Sequence, residues 1–86
     1  MAWVYILRLS NNKYYIGSTT NLSQRIKDHN NGKSNYTSKF LPLTLQFSKE
    51  YATISEANLA EKYLKRQKSR IILEQVISTQ TLDINV

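Results

Sequence analysis

The stretch Ala2-Trp3-Val4-Tyr5-Ile6-Leu7-Arg8-Leu9-Ser10-Asn11-Asn12-Lys13-Tyr14-Tyr15-Ile16-Gly17 decides the fold. From Ala2 to Leu9 most residues are apolar, and several are β-branched or aromatic, which is the composition of a strand. Ser10-Asn11-Asn12 supplies turn chemistry, and Lys13 to Ser18 reads as a second strand. Together they form a hairpin. Its register has consequences, because side chains alternate between the two faces of a sheet. With Ser10–Asn12 as the loop, Tyr5, Leu7 and Tyr15 share one face, and Val4, Ile6, Tyr14 and Ile16 share the other. Changing the loop by one residue would separate Tyr5 from Tyr15, since one step flips every side chain. The first register is the one expected.

Beyond the hairpin, Asn21-Leu22-Ser23-Gln24 has the form of a helix start, with Asn21 as N-cap. The helix is expected to reach about Asn30 and to close at Gly32. Lys33 to Phe40 is a polar, basic loop, and Pro42 limits any strand before it. Leu43 to Tyr51 alternates as a third strand. Thr53-Ile54-Ser55-Glu56 is a second capping box, opening a helix through about Gln67. Ile71 to Ile77 is apolar enough for a short last helix. The pattern fades from Ser78, so a single domain over 1–77 and a loosely held tail over 78–86 are expected.

A chain of 86 residues has room for one modest core. Hydrophobic residues make up 41% and charged residues 21%, the balance of a globular domain rather than a disordered one. With no cysteine, disulfides and thiolate metal sites are excluded, and a reducing, cytoplasmic setting fits. No apolar run approaches the ~20 residues of a membrane span. The apolar start lacks a preceding basic segment, so no signal peptide is expected. Twelve Lys and Arg against six Asp and Glu give a net charge of +6, which points to a polyanionic partner, most simply nucleic acid.

Leu22, Arg25, Ile26 and His29 follow the spacing of one helical face. Leu22 and Ile26 must be buried there, so Arg25 and His29 flank or share the side turned to the sheet. Each has a plain role taken singly. Arg25 can lay its stem over the core and keep its head wet, and His29 suits a helix C-terminus. The second helix repeats the pattern, with Ala57, Ala60, Glu61 and Leu64 along one stripe. A carboxylate there is costly unless paired or bound to a metal. Pairing with Lys65 is the plain alternative, worth ~0.3–0.5 kcal/mol when exposed. Two helices that both turn ionisable groups inward point to a site. Tyr5 and Tyr15 read singly as packing tyrosines, and Gly17 ends its strand and permits a close approach. Lys33, Lys39, Lys62, Lys65, Arg66, Lys68 and Arg70, with Tyr36 set among the loop cations, suit a surface that tracks phosphates. There is no zinc-finger spacing, no phosphate-binding Gly-rich loop and no nucleophile elbow.

Val4-Tyr5-Ile6 and Tyr15-Ile16-Gly17, followed by Arg25, His29 and Glu61, resemble the GIY-YIG nuclease family, named for two such tripeptides. The resemblance runs from about Ala2 to Arg70 and is closest to small single-domain members. Those have later segments like Lys33-Ser34-Asn35-Tyr36-Thr37 and Leu64-Lys65-Arg66-Gln67-Lys68-Ser69-Arg70. It implies an α/β (α+β) domain with a three-stranded antiparallel sheet flanked by helices, in agreement with the elements above. It further implies hydrolysis of DNA phosphodiesters with one divalent ion, Mg²⁺ or Mn²⁺, and no organic cofactor. By the resemblance, Tyr5 and Tyr15 match the motif tyrosines, Arg25 the helix arginine, His29 the residue one turn later, and Glu61 the metal-binding glutamate. Val4 stands where the family has glycine. Larger members attach a DNA-targeting domain that this chain lacks, which implies weak or structure-based selectivity, or a protein partner for targeting. The alternatives from other classes are a non-catalytic nucleic-acid-binding module and a partner-dependent subunit of a repair complex.

Overall fold

A computed structural model describes residues 1–33, 37–67 and 70–82. In chain order the elements are β1 (Ala2–Arg8), β2 (Tyr14–Thr19), α1 (Leu22–Asn30), a 3-10 turn (Thr37–Phe40), β3 (Thr44–Tyr51), α2 (Ile54–Arg66) and α3 (Arg70–Thr79). The sheet is antiparallel with order β2-β1-β3, so β1 is central and β2 is an edge. Leu9 N–H donates to the Lys13 carbonyl at 2.9 Å, which closes the hairpin on Ser10–Asn12. Asn12 takes the left-handed conformation, φ 70°, that lets so short a loop turn. Leu7 pairs with Tyr15, Ile6 with Ile16 and Tyr5 with Gly17, the expected register.

That register divides the apolar residues into two clusters. Val4, Ile6 and Ile16 pack with Phe47, Ala60, Leu64, Leu73 and Val76, against α2 and α3. Tyr5, Leu7 and Leu9 pack with Leu43, Tyr15, Leu22, Ile26 and Phe40, under α1 and the 3-10 turn. Helices therefore cover both faces, and β1, buried on both sides, shows no alternation of burial over Val4–Leu7. The helix starts are as read: Asn21 Oδ1 accepts from Gln24 N–H at 3.1 Å, and Thr53 Oγ1 accepts from Glu56 N–H at 3.2 Å. Gly32, φ 77°, follows the end of α1 and donates to the His29 carbonyl at 3.1 Å. Two segments differ from expectation. The loop after α1 contains the 3-10 turn, which buries Thr37. The last helix runs to Thr79, and Gln80 and Leu82 are held beyond it. Leu82 is buried in the larger cluster, its carbonyl accepts from Lys49 Nζ, and Gln80 Nε2 donates to the Gln46 carbonyl. A single apolar residue, invisible as periodicity, anchors what reads as tail.

Candidate active site

The hairpin sets the first part of the site. Tyr5 on the central strand lies opposite Gly17, and its phenol runs across the space a side chain at 17 would fill. The group that approaches Gly17 is thus the Tyr5 ring. From α1, Arg25 Nε donates to Tyr5 Oη at 3.4 Å, and His29 Nε2 lies 3.1 Å from the same oxygen. Tyr15, one face-repeat along β2, sets its ring edge-on to His29 at 5.2 Å between centroids. It also lies near enough to Arg25 to help raise the pKa of that guanidinium. Four of the five expected residues therefore form one contact network on the α1 face. Within α1 the buried residue is His29, while Leu22 and Ile26 are only partly covered. The helix turns its imidazole, not its aliphatic residues, deepest into the sheet.

Burial and charge tune these groups. Burial pushes the Tyr5 phenol above its ordinary value, against the opposing pull of Arg25. The phenol stays protonated at neutral pH. His29 is lowered, first by burial and then by the Arg25 charge, so its imidazole is neutral. Arg25 is raised, chiefly by its hydrogen bond to Tyr5, and remains a cation.

Glu61 comes from the other side. α2 packs on the Val4 face, opposite α1, so Glu61 and Arg25 come from opposite faces of the sheet. The edge position of β2 brings Glu61 to the rim of the network. Ser18, next to Gly17 on that strand, donates to Glu61 Oε1 at 2.6 Å and lies 2.5 Å from Asn58 Oδ1. The Glu61 charge also contributes to the raised pKa of Tyr5. The plain alternative is realised as well, since Lys65 Nζ pairs with Glu61 Oε2 at 2.7 Å. Among the described residues no three or more His, Cys, Asp or Glu side chains cluster to hold an ion. The oxygens of Glu61, Asn58 and Ser18 are nevertheless a hard donor set. One carboxylate with neutral oxygens fits a Mg²⁺-type ion that also takes waters and substrate phosphate. Asn58, three residues before Glu61, is legible on a helical wheel. Ser18 and Thr37 carry no such signal.

Exposed cations lie on or near both helices, and Lys65 reaches Glu61 itself. Lys33, near Asp28 at 3.5 Å, and exposed Lys39 stand on the α1 side; Lys62, Lys65 and Arg66 are exposed on α2. Arg70 is committed elsewhere: it stacks on Tyr14 at 4.7 Å, donates to the Asn12 carbonyl and pairs with Glu74. Tyr36 and Lys68 lie outside the described residues. A cleft of about 430 Å³ opens along β2, lined by Tyr14, Tyr15, Ile16, Leu64 and Leu73, with Lys65 and Gln67 also lining it.

A family model described as the GIY-YIG catalytic domain matches residues 1–74. The chain belongs to that family. GIY-YIG domains are those of endonucleases acting on DNA, generally with divalent metal ions. A UPF0213 protein of Streptococcus pneumoniae serotype 4 is 41% identical over 68 residues, covering 78% of this chain and 69% of the relative. The UPF0213 protein YazA of Bacillus subtilis is 36% identical over 75 residues, covering 83% and 76%. The solution NMR structure of the UPF0213 protein BH0048 from Bacillus halodurans superposes with a TM-score of 0.61 at 34% identity, covering 93% of this chain and 86% of that one. The three-stranded antiparallel sheet with its helices is accordingly the fold of this small GIY-YIG group.

Proposed function

We propose that this chain is a metal-dependent endonuclease that hydrolyses DNA phosphodiesters, with weak sequence selectivity or selectivity for DNA structure, in repair or processing in the cytoplasm. What supports the reading is the network of Arg25, Tyr5, Tyr15 and His29 meeting Glu61 at the β2 rim. Hydrolysis forms a bond from water oxygen to phosphorus and breaks the bond to the leaving oxygen. Arg25, steadied by Tyr5, neutralises charge growing on the non-bridging oxygens. Tyr15 accepts a hydrogen bond from the attacking water and orients it, and the water's proton leaves to solvent or to the departing oxygen as the bond to phosphorus forms. Tyr5, its phenol kept protonated by burial, assists from behind with His29. Glu61, with Asn58 and Ser18 beside it, would hold one Mg²⁺ or Mn²⁺, which supplies Lewis-acid neutralisation of phosphate charge.

A second reading, a DNA-binding module without catalysis, draws on the Glu61–Lys65 ion pair. Labelled flap, nicked, branched and single-stranded DNA, incubated with Mg²⁺ or Mn²⁺, separates the two when wild type is run beside Glu61→Gln. The enzyme reading expects cleavage by wild type alone, with DNA binding kept or strengthened in the variant. Cleavage undiminished in Glu61→Gln would remove Glu61 from the site. No cleavage of any substrate by wild type, with binding intact, would establish the module instead.

A further inference from the structure

Thr37 has no part in the chemistry above, yet its setting demands an account. It is 0% exposed, and it shares that state with His29; among the described residues these are the buried polar side chains. The two meet, with Thr37 Oγ1 2.8 Å from His29 Nδ1. Burying a hydroxyl and an imidazole is costly unless each is bonded. Packing alone does not call for a threonine there, since valine would fill the same volume. The contact extends a line of four groups reaching outward from the 3-10 turn: Thr37, His29, Tyr5 and Arg25. Only Arg25, at the end, has a part-exposed side chain to offer a ligand.

The line has two polarities. A guanidinium only donates, so Tyr5 Oη accepts from Arg25 Nε in both. If Nδ1–H of His29 donates to Thr37 Oγ1, Nε2 carries a lone pair and accepts the Tyr5 hydroxyl. The Tyr5 hydroxyl then donates inward and leaves its lone pairs to the guanidinium, while the Thr37 hydroxyl proton is the one that turns outside the line. If Thr37 donates to Nδ1, Nε2–H donates to Tyr5, and the Tyr5 proton is driven out toward the guanidinium side. The bond made by one imidazole nitrogen decides what the other carries. We propose that Thr37 is a positioning residue whose hydroxyl accepts from Nδ1–H of His29, fixing the tautomer that lets Tyr5 hold Arg25 toward a phosphate. This rests on the reading of Arg25 as a phosphate clamp.

The test compares the full chain with Thr37→Val, which keeps shape and loses the hydroxyl, and Thr37→Ser, which keeps the hydroxyl. Long-range ¹⁵N–¹H spectra read the His29 tautomer, and solvent exchange of Arg25 Nε–H reads its restraint; neither needs catalysis. Wild type and Thr37→Ser should show Nδ1–H and slow exchange, whereas Thr37→Val should show Nε2–H or a mixture and faster exchange. In cleavage, Thr37→Val should lose about 10-fold in kcat, the scale of an outer orienting partner, with KM within about twofold, and Thr37→Ser should recover it. An Nε2–H ring in wild type, or an unchanged ring and exchange rate in Thr37→Val, overturns the proposal. Should Thr37→Val not fold, the wild-type and Thr37→Ser spectra decide on the same criterion. Absence of cleavage by wild type would remove the nuclease reading and leave the spectroscopic arm standing.

Discussion

Gly17→Ala should cripple the protein through Tyr5 rather than through the backbone. Gly17 lies within β2 and is not among the positive-φ residues, so alanine meets no conformational strain there. A Cβ at this position would lie 2.5 Å from Tyr5 Oη and 2.6 Å from Tyr5 Cζ. Comfortable heavy-atom contacts begin near ~3.5 Å, so the ring must retreat by about 1 Å. It has little room, being 1% exposed and bonded to both His29 and Arg25. Overpacking of this kind costs about 1–3 kcal/mol, and loosening two hydrogen bonds adds about 0.5–1.5 kcal/mol each. For a domain of this size each kcal/mol is worth about 4–8 °C in melting temperature, so a fall of at least ~10 °C is expected by circular dichroism. Tyr5→Leu in the same chain shortens the opposing side chain. The double variant should recover part of the stability, with a coupling above about 1 kcal/mol, but should not recover Arg25 function. A Gly17→Ala protein melting within about 2 °C of wild type, less than ~0.5 kcal/mol, would refute the packing argument.

Three further outcomes can be checked. Glu61→Gln should cost no more than about 0.5 kcal/mol in denaturant unfolding, because Lys65 is exposed and the Gln side-chain oxygen can still accept from Ser18; a larger loss would make Glu61 a structural residue. DNA affinity should fall linearly with log salt, and Lys62→Ala or Arg66→Ala should each reduce the slope by about 0.9 on duplex DNA. Unchanged slopes would take α2 out of the contact surface. Stability should decline as pH falls below the ordinary imidazole value of ~6.5. Burial lowers His29, so in that window the unfolded chain binds more protons than the folded one, with a slope of at most about 1.4 kcal/mol per pH unit. His29 is the chain's one histidine, so a flat profile between pH 5 and 7 would contradict its burial as a neutral ring.

The sheet, its register and the helix starts were legible because each rests on local chemistry. Turn residues at Ser10–Asn12, caps at Asn21 and Thr53, and the alternation around Tyr5 all act within a few residues of themselves. What lay beyond reach depends on contacts between distant segments. Thr37 sits in a polar stretch with no periodicity, and only the fold brings it to His29. Leu82 is one apolar residue past a helix end. The +6 charge was visible but its deployment was not. Arg70 reads like its neighbours Lys65 and Arg66, yet it spends itself on Tyr14, Asn12 and Glu74.

Glu61 and Arg25 reach the same strand from opposite faces of the sheet. A helical wheel says which side of its own helix a residue occupies, and for both Arg25 and Glu61 that side faces the sheet. It does not say which face of the sheet the helix covers. Here α1 and α2 cover opposite faces, which would hide Arg25 from Glu61 across a central strand. It does not hide them across β2, because among the described residues that strand is an edge of the sheet. Along β2, alternation sends Gly17 to the Tyr5 face and Ser18 to the Glu61 face, one residue apart. An edge strand can thus join groups from both faces at one rim. On the proposed reading a phosphate seated at that rim meets Arg25 from one side and the Glu61 oxygens from the other. A strand added outside β2 would bury the rim and abolish binding and cleavage together.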